Sequence, residues 1–118
     1  MSCLFDTLSN FIDLNSNELR QNICNYLSEN PRMFEDISAQ EFILWNGEGH
    51  SSLETYINNM RGSSTWGGAI EIKSFCNMYN MDVNVHDTRG GKHIINFIDE
   101  GRNRPLIDIN WNGGHYWA

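Results

Sequence analysis

The chain has 118 residues with a formal net charge of −7, and its composition is that of a globular protein. This acidic balance disfavours nucleic-acid binding, because phosphate contacts need a basic face, and it suits a basic peptide or protein partner. No apolar run is long enough to cross a bilayer, and the start of the chain lacks the basic segment of a signal peptide. We therefore expect a single monomeric domain over residues 1–118 that binds neither nucleic acid nor membranes.

The cysteines and histidines do not have the spacings of a disulfide framework or a metal site. The three cysteines, Cys3, Cys24 and Cys76, are odd in number and far apart, which favours a reducing compartment. The four histidines show no close pairing with cysteine or acid, so we expect no metal and no other cofactor. The expected location is the cytoplasm.

Five helices are predicted over the first two-thirds of the chain, from apolar residues at helical spacing and from capping boxes. In chain order they begin at Cys3, after the caps Asn15, Ser38 and Ser51, and near Trp66. The second helix is expected to end at the sequence ENP (29–31), the fourth at Gly62 and the fifth near Tyr79.

The last third of the chain has the pattern of strands. The segments 83–87, 93–98 and 106–111 are rich in apolar residues or alternate apolar with polar ones. The sequence NGG (112–114) is a strong hairpin signal that joins the third strand to a last strand over HYWA (115–118). Helices followed by such a meander predict an α+β fold in which a small antiparallel sheet packs against the helices.

Cys3 stands at a predicted helix start, where two interpretations are open. Unpaired backbone N–H groups and the helix dipole at that position favour a thiolate, as a nucleophile requires. A free cysteine is more often a small buried apolar residue, which is the interpretation that suits Cys24 and Cys76. His115 begins the last strand and is the candidate base, because cysteine hydrolases pair a thiol with an imidazole that is distant in sequence.

Longer stretches of sequence favour the nucleophile. SCLFDTLS, LRQNICNYLSENPRMFE, YINNMRGSSTWGGAIEIKSFCNMYNMDVNV and HYWA follow one another in the order and spacing of a known family. The chain resembles the ovarian-tumour (OTU) family of papain-like cysteine proteases, which act mainly as deubiquitinases. The resemblance covers Ser2 to Trp117, and its most specific part is Trp66-Gly67-Gly68 with Glu71. A minimal or viral member of the family would fit the length, and a viral one would act in the host cytoplasm.

The resemblance implies a compact OTU-like α+β protease domain in which Cys3 is the nucleophile and His115 the general base and acid. The substrate would be ubiquitin or a ubiquitin-like modifier and its conjugates, cut after the Gly-Gly terminus through a thioester intermediate. Close backbone approach is expected at the glycines before the fifth helix. Substrate contacts are expected at four residues, of which the last two would border a channel for the Gly-Gly tail or pack in the core: Trp66, Gly67, Trp111 and Trp117.

The sequence departs from the family pattern in two places. The family's nucleophile usually follows Asp-Gly-x, of which only the x position, Ser2, is present here. The third catalytic residue is often an Asp or Asn two residues after the histidine, and here that residue is Trp117. These departures keep open a second interpretation, a catalytically weak or inactive ubiquitin-binding module on the same scaffold.

Asn110 is a candidate to orient the imidazole in place of the missing Asp or Asn. If Asn112-Gly113 forms a two-residue turn, Asn110 lies directly opposite His115 on the same face of the sheet. With a three-residue turn, Trp111 would take that place. A plain Cys–His dyad is the alternative to any orienting residue.

Overall fold

The computed structural model describes residues 3–34, 36–46, 52–62, 65, 67–90, 93–99, 101 and 103–118. Within these residues the chain forms five helices and six strands. The helices are α1 (Cys3–Ser9), α2 (Ser16–Ser28), α3 (Ala39–Asn46), α4 (Leu53–Met60) and α5 (Ala69–Tyr79). The strands are β1 (Arg32–Phe34), β2 (Ile37–Ser38), β3 (Asp82–Asp87), β4 (His93–Phe97), β5 (Leu106–Trp111) and β6 (Tyr116–Trp117).

The core lies between the helices and one face of the sheet formed by β3 to β6. α2 contacts α1, α4 and α5, and α5 also contacts β3 and β4. Alternation along β3 and β5 turns Val83, Val85 and Ile109 into this core, where they are buried. The predicted α+β architecture, with helices first and a small sheet second, is confirmed.

The prediction of an antiparallel sheet is wrong in one respect, because the sheet is mixed. Its strand order is β4-β3-β5-β6, and β3 and β5 run parallel whereas the two outer pairs are antiparallel. After the β3–β4 hairpin the chain crosses past the start of β3 and enters β5 on the other side. An alternating residue pattern does not specify on which side the next strand joins, so the expected meander did not hold.

A buried ion pair fixes this crossing. The Arg104 guanidinium donates to the Asp82 carboxylate (Nε to Oδ1, 2.8 Å) and to the carbonyl oxygen of Cys76 (3.3 Å). Asp82 is the first residue of β3, and its N–H donates to the Pro105 carbonyl oxygen (2.8 Å). Both charged side chains are almost fully buried, so each depends on the other as its closest counter-ion. The segment before β5 is thereby held at the start of β3.

Local boundaries differ from the predicted ones at three places. α4 is capped by Ser52, whose hydroxyl accepts a backbone N–H of the helix (3.1 Å), rather than by Ser51, which lies outside the described residues. α5 begins at Ala69 instead of near Trp66, because Gly68 forms its N-cap. The short β1–β2 pair is an addition to the predicted elements, because strands of two or three residues leave no periodic signal.

Arg20 is a buried arginine that joins α1 to the segment after α4. Its guanidinium donates to the carbonyl oxygens of Met60 (2.7 Å) and Thr65 (2.9 Å) and lies over the Phe5 ring, 4.3 Å from its centroid. Burial lowers the pKa of Arg20, but a guanidinium keeps its charge in proteins. These contacts connect α2, the first turn of α1 and the chain that leads to Gly67.

Glu71 organises the start of α5 from inside the core. Its side chain accepts the Gly68 N–H (2.7 Å) at one oxygen and the Tyr56 hydroxyl (2.5 Å) at the other. The bond from Gly68 fixes where the helix begins, and the bond from Tyr56 joins α5 to α4. Burial raises the pKa of Glu71 to about 7, despite these two donors and the nearby charge of Arg20.

Replacement of Glu71 by Gln tests this buried carboxyl group. Between pH 4.5 and about 7 the native carboxyl holds a proton that the unfolded chain has released, so its contribution to stability falls as the pH rises. A Gln side chain keeps one acceptor and one donor but does not titrate. We therefore expect Glu71→Gln to gain stability relative to the parent chain across this window, by on the order of 3 kcal/mol. Urea unfolding at several pH values measures the difference.

The exposed Glu54 on α4 supplies the matched control. Glu54→Gln changes the net charge by the same amount at the surface, and so separates a general charge effect from the effect of burial. If the free energies of unfolding of the parent chain and of Glu71→Gln ran parallel from pH 4.5 to about 7, the proposed ionisation of Glu71 would be wrong.

Candidate active site

Cys3 is the first residue of α1, and its side chain is partly exposed although the helix is held in the core. Leu4, Phe5 and Leu8 of this helix are at most 1% exposed. The Thr7 hydroxyl donates to the Cys3 carbonyl oxygen (2.7 Å) and so supports the first turn. The thiol therefore stands at the N-terminal end of a firmly packed helix, where backbone N–H groups are not used by the helix itself.

The other two cysteines are confined to the core. Cys24 on α2 and Cys76 on α5 are fully buried, and burial raises the pKa of each thiol to about 11. A thiol that is inaccessible and protonated at neutral pH is a poor nucleophile. Cys3 is thus the thiol that a substrate can reach.

The packing of α1 against β6 brings Cys3 toward the strand that follows His115. Tyr116 is the first residue of β6, and burial is the main reason why the pKa of its phenol is raised to about 12, with smaller contributions from Glu71 and Cys3. His115 directly precedes Tyr116 and is exposed. Cys3 thus begins α1 and His115 directly precedes β6, the strand on which α1 packs.

His115 is carried by a tight turn between β5 and β6. The Asn112 N–H donates to the His115 carbonyl oxygen (3.1 Å), so Gly113 and Gly114 are the two central residues. Gly113 has φ = +98°, a conformation that glycine adopts without steric cost. The Asn112 side-chain oxygen accepts the N–H groups of Gly114 (3.0 Å) and His115 (2.8 Å). Asn112 therefore holds the backbone of His115 through both its own backbone and its side chain.

The predicted register of this hairpin is wrong. Asn110 pairs with Trp117, so it does not lie directly opposite His115, and the three-residue alternative is not formed either. The turn lies one residue later than predicted, because Asn112 closes it instead of standing at its centre. Asn110 is on the same face of the sheet as His115 but in a diagonal position, and its role in orienting the imidazole stays a prediction.

Trp117 occupies the position where the family often has an Asp or Asn. Its ring stacks on the His115 imidazole, with centroids 6.0 Å apart and 14° between the planes. An indole has one N–H donor and no acceptor, so it does not bind an imidazole N–H as a carboxylate does. The stacking restrains the plane of the ring.

Gly67 brings the segment before α5 against the helix of Cys3. A side-chain carbon at position 67 would lie 2.8 Å from Cδ2 of Leu4 and 3.1 Å from the Phe5 ring, closer than a Cβ tolerates. The close backbone approach predicted for both glycines before α5 is confirmed at Gly67 and wrong at Gly68, where an added Cβ would meet no atom within 4 Å. Trp66, the neighbouring candidate for substrate contact, lies outside the described residues.

An apolar pocket of about 360 Å³ lies between the start of α5, the inner face of the sheet and the His115 turn. Its walls include Gly67 and Trp111, two of the predicted substrate contacts, and both glycines of the turn. Trp117 belongs to the opposite face of the sheet, because side chains alternate along β6. The pocket therefore adjoins the segment that packs on the helix of Cys3 as well as the turn of His115.

The accessible thiol lies at a helix start, and the exposed histidine directly precedes the strand on which that helix packs. Papain-like thiol hydrolases likewise carry their thiol and imidazole on separate elements. The sequence profile of the family described as OTU-like cysteine protease matches residues 2–110. The chain belongs to this family, and the resemblance read from the sequence is confirmed.

Known relatives and solved structures agree with this assignment. The chain is 30% identical over 96 residues to ubiquitin thioesterase otu2 of Schizosaccharomyces pombe, a match that covers 75% of this chain and 30% of the relative's length. An OTU domain solved in complex with ubiquitin is 26% identical, with a TM-score of 0.74 over 98% of this chain and 61% of the other. The viral OTU protease of Dera Ghazi Khan virus shares the fold, with a TM-score of 0.72 at 12% identity and coverage of 98% and 71%.

Asn112 was missed as a functional candidate, although the NGG sequence marked the turn. Replacement by Ala removes the acceptor of two N–H groups and loosens the turn that carries His115. We expect Asn112→Ala to lower kcat for proteolytic turnover by about 10- to 100-fold with little change in KM, because His115 is the predicted base and small displacements of a catalytic base are costly. Steady-state kinetics of the two chains measures this.

Two variants delimit the effect of Asn112. Asn112→Asp keeps an acceptor oxygen at the same place and should retain most of the rate. Asn58→Ala removes an exposed amide from α4 and should behave as the parent chain. An Asn112→Ala chain that turns over as fast as Asn58→Ala would show that the turn is held without this side chain.

Proposed function

We propose that the chain is a thiol-dependent deubiquitinase, which hydrolyses the bond after the Gly-Gly terminus of ubiquitin or a ubiquitin-like modifier. The observation that carries this proposal is the selective exposure of Cys3 at the start of a helix that packs on the strand following His115. The names of the curated relative and of the 26% identical structure support ubiquitin as the modifier. The free thiols suit a reducing compartment, and we propose the cytoplasm as its location.

The reaction begins when His115 takes the proton of the Cys3 thiol and the thiolate attacks the carbonyl carbon of the terminal glycine. We assign the N–H groups at the start of α1 as donors to the oxyanion of the tetrahedral intermediate. Collapse of the intermediate breaks the C–N bond, and the imidazolium of His115 protonates the leaving amine. Water, deprotonated by His115, then hydrolyses the thioester and restores the thiol.

The pocket beside the site supplies an apolar route for a Gly-Gly terminus. Gly67 and Gly68 contribute to one wall and Gly113 and Gly114 to another, so these positions present no side chain to an extended backbone. Trp111 lines the same pocket and is the aromatic contact that we assign to the tail. The net charge of −7 favours approach of a basic tail.

A ubiquitin probe with a C-terminal electrophile tests the proposal directly. We expect a covalent adduct with the parent chain and none with Cys3→Ala, because the electrophile needs an accessible thiolate. Cys24→Ala is the matched control and should keep the adduct, since that thiol is buried and burial raises its pKa to about 11. Intact-mass spectrometry identifies the adduct in each chain.

The outcomes of the probe experiment separate the enzyme from its alternative. Ubiquitin binding without an adduct in the parent chain would identify an inactive ubiquitin-binding module on the OTU scaffold. An adduct that persists in Cys3→Ala and disappears in Cys24→Ala would mean that the nucleophile has been assigned wrongly.

A second prediction concerns the orienting role of Asn110. Its side chain lies on the sheet face that carries the rings of His115 and Trp117. We expect Asn110→Ala to lower kcat by about tenfold without a change in the free energy of unfolding, because the imidazole loses an acceptor that fixes its tautomer. Hydrolysis of a ubiquitin C-terminal amide and urea unfolding measure the two quantities. Unchanged turnover would leave a Cys–His dyad whose ring is restrained by Trp117.

A further inference from the structure

Arg89 follows the end of β3 and reaches across the turn that carries His115. Its guanidinium carbon lies 4.4 Å from the centroid of the Trp111 ring. Its Cδ and Nη1 atoms lie 3.0 and 3.2 Å from the place where a Cβ would stand at Gly113. The Arg89 side chain thus covers the last residue of β5 and the first glycine of the turn together.

Arg89 is itself held in one orientation by Asp87. Its Nε donates to Oδ1 (3.0 Å) and its Nη2 to Oδ2 (2.8 Å), the two-point geometry that a planar guanidinium shares with a carboxylate. These bonds, together with the Arg89 N–H that also donates to Oδ1, lower the pKa of Asp87 to about 2. The Asp87 side chain is 9% exposed and that of Arg89 57%, so the carboxylate is the anchor from which the guanidinium extends.

The backbone at the end of β3 is bonded to the same place. Asp87 is in register with Trp111 in the parallel pair. Thr88 donates both its N–H (2.9 Å) and its hydroxyl (3.2 Å) to the Trp111 carbonyl oxygen. The residue on which Arg89 stacks is therefore the residue from which the His115 turn departs. The Asp87–Arg89 ion pair, the bonds from Thr88 to Trp111 and the His115 turn therefore form one continuous set of contacts.

The turn needs such support because its own sequence supplies little rigidity. Gly113 and Gly114 are the two central residues, and glycine gives the backbone more freedom than any other residue. The Asn112 side-chain oxygen accepts the N–H groups of Gly114 and His115 within the turn, but these two bonds do not hold the glycines against the sheet. A catalytic base must be held closely, since a displacement of about 1 Å can cost about 100-fold in rate.

We propose that Asp87 and Arg89 are positioning residues for His115, and that their ion pair clamps the Gly113-Gly114 turn onto Trp111 and so fixes where the imidazole stands. Their effect on turnover rests on the proposed function, whereas their effect on the turn does not. The Arg89 guanidinium contacts the face of the Trp111 ring in a cation–π interaction. This interaction requires the orientation that Asp87 imposes on the guanidinium.

Variants at Arg89 test the proposal by kinetics. We expect Arg89→Ala to lower kcat for hydrolysis of a ubiquitin C-terminal amide by about 10- to 100-fold, with KM within about twofold of the parent value. Arg89→Lys keeps a cation near Trp111 but loses the two-point bond to Asp87, so it should recover part of the lost rate. Arg32→Ala removes an exposed arginine from β1 and should keep the parent kcat, which controls for the change of charge.

Amide hydrogen exchange, followed by NMR, reports on the turn without any substrate. The N–H groups of Gly114 and His115 should exchange at least about tenfold faster in Arg89→Ala, while those of α5 keep the parent rates. In an active parent chain the proposal requires both effects, and either one without the other overturns it.

The same exchange measurement separates failure of the proposal from failure of the proposed function. If the parent chain does not hydrolyse the ubiquitin amide, the proposed function is wrong, and the exchange rates of Gly114 and His115 alone decide whether the pair braces the turn. If Arg89→Ala does not fold, Arg89→Lys and Asp87→Asn carry the identical comparison, with faster exchange and lower kcat expected in both.

Discussion

The buried guanidinium of Arg20 is the contact on which the geometry around the nucleophile depends. It lies over Phe5 of α1 and donates to carbonyl oxygens of Met60 and Thr65, so one side chain spans the helix of Cys3 and the segment that leads to Gly67. A buried cation is costly unless acceptors surround it, which ties these backbone segments to one point. α1 has seven residues, too few to be stable alone, and its position therefore comes from the core around it.

A buried ion pair between Arg104 and Asp82 determines at which edge of the sheet His115 lies. Arg104 and Asp82 hold the chain before β5 at the start of β3, so β5 joins β3 on the side away from β4. β6 then becomes the edge strand beyond β5, and this is the edge against which α1 packs. Had β5 paired with β4, as in a meander, the histidine would have been carried to the opposite edge of the sheet. The packing of α1 against the strand that follows His115 thus depends on a strand pairing made away from both.

The features that could be predicted from the sequence are mostly those that depend on residues close together in the chain. Helix starts are local: the capping boxes of Asn15 with Glu18 and of Ser38 with Glu41 are formed, and the residues that specify them stand three apart. The glycine at position 67 was predicted from the family signature, although the packing that it permits is with Leu4 and Phe5, far away in the sequence. Strand order and the centre of the last turn were not predictable in this way. Strand order depends on contacts between residues far apart in sequence, such as Arg104 with Asp82. The turn is local, but the NGG sequence fits either Asn112-Gly113 or Gly113-Gly114 at its centre, and the Asn112 side chain accepts the two N–H groups that go with the second pair.

The two halves of the site are stabilised in opposite ways, and this has a consequence for the reaction. The residues next to Cys3 on α1 are buried in the core, so the packing of the core fixes the position of the thiol. The histidine stands on an exposed turn with two glycines, and Trp117 beside it restrains the ring plane without offering an acceptor. Where the family pattern often has an Asp or Asn, this chain has Trp117, so the contacts around the His115 turn are several, each weak and partly solvated. Turnover should therefore respond to changes around the turn that hardly affect the stability of the whole chain, because the turn opens locally at a lower cost than the core.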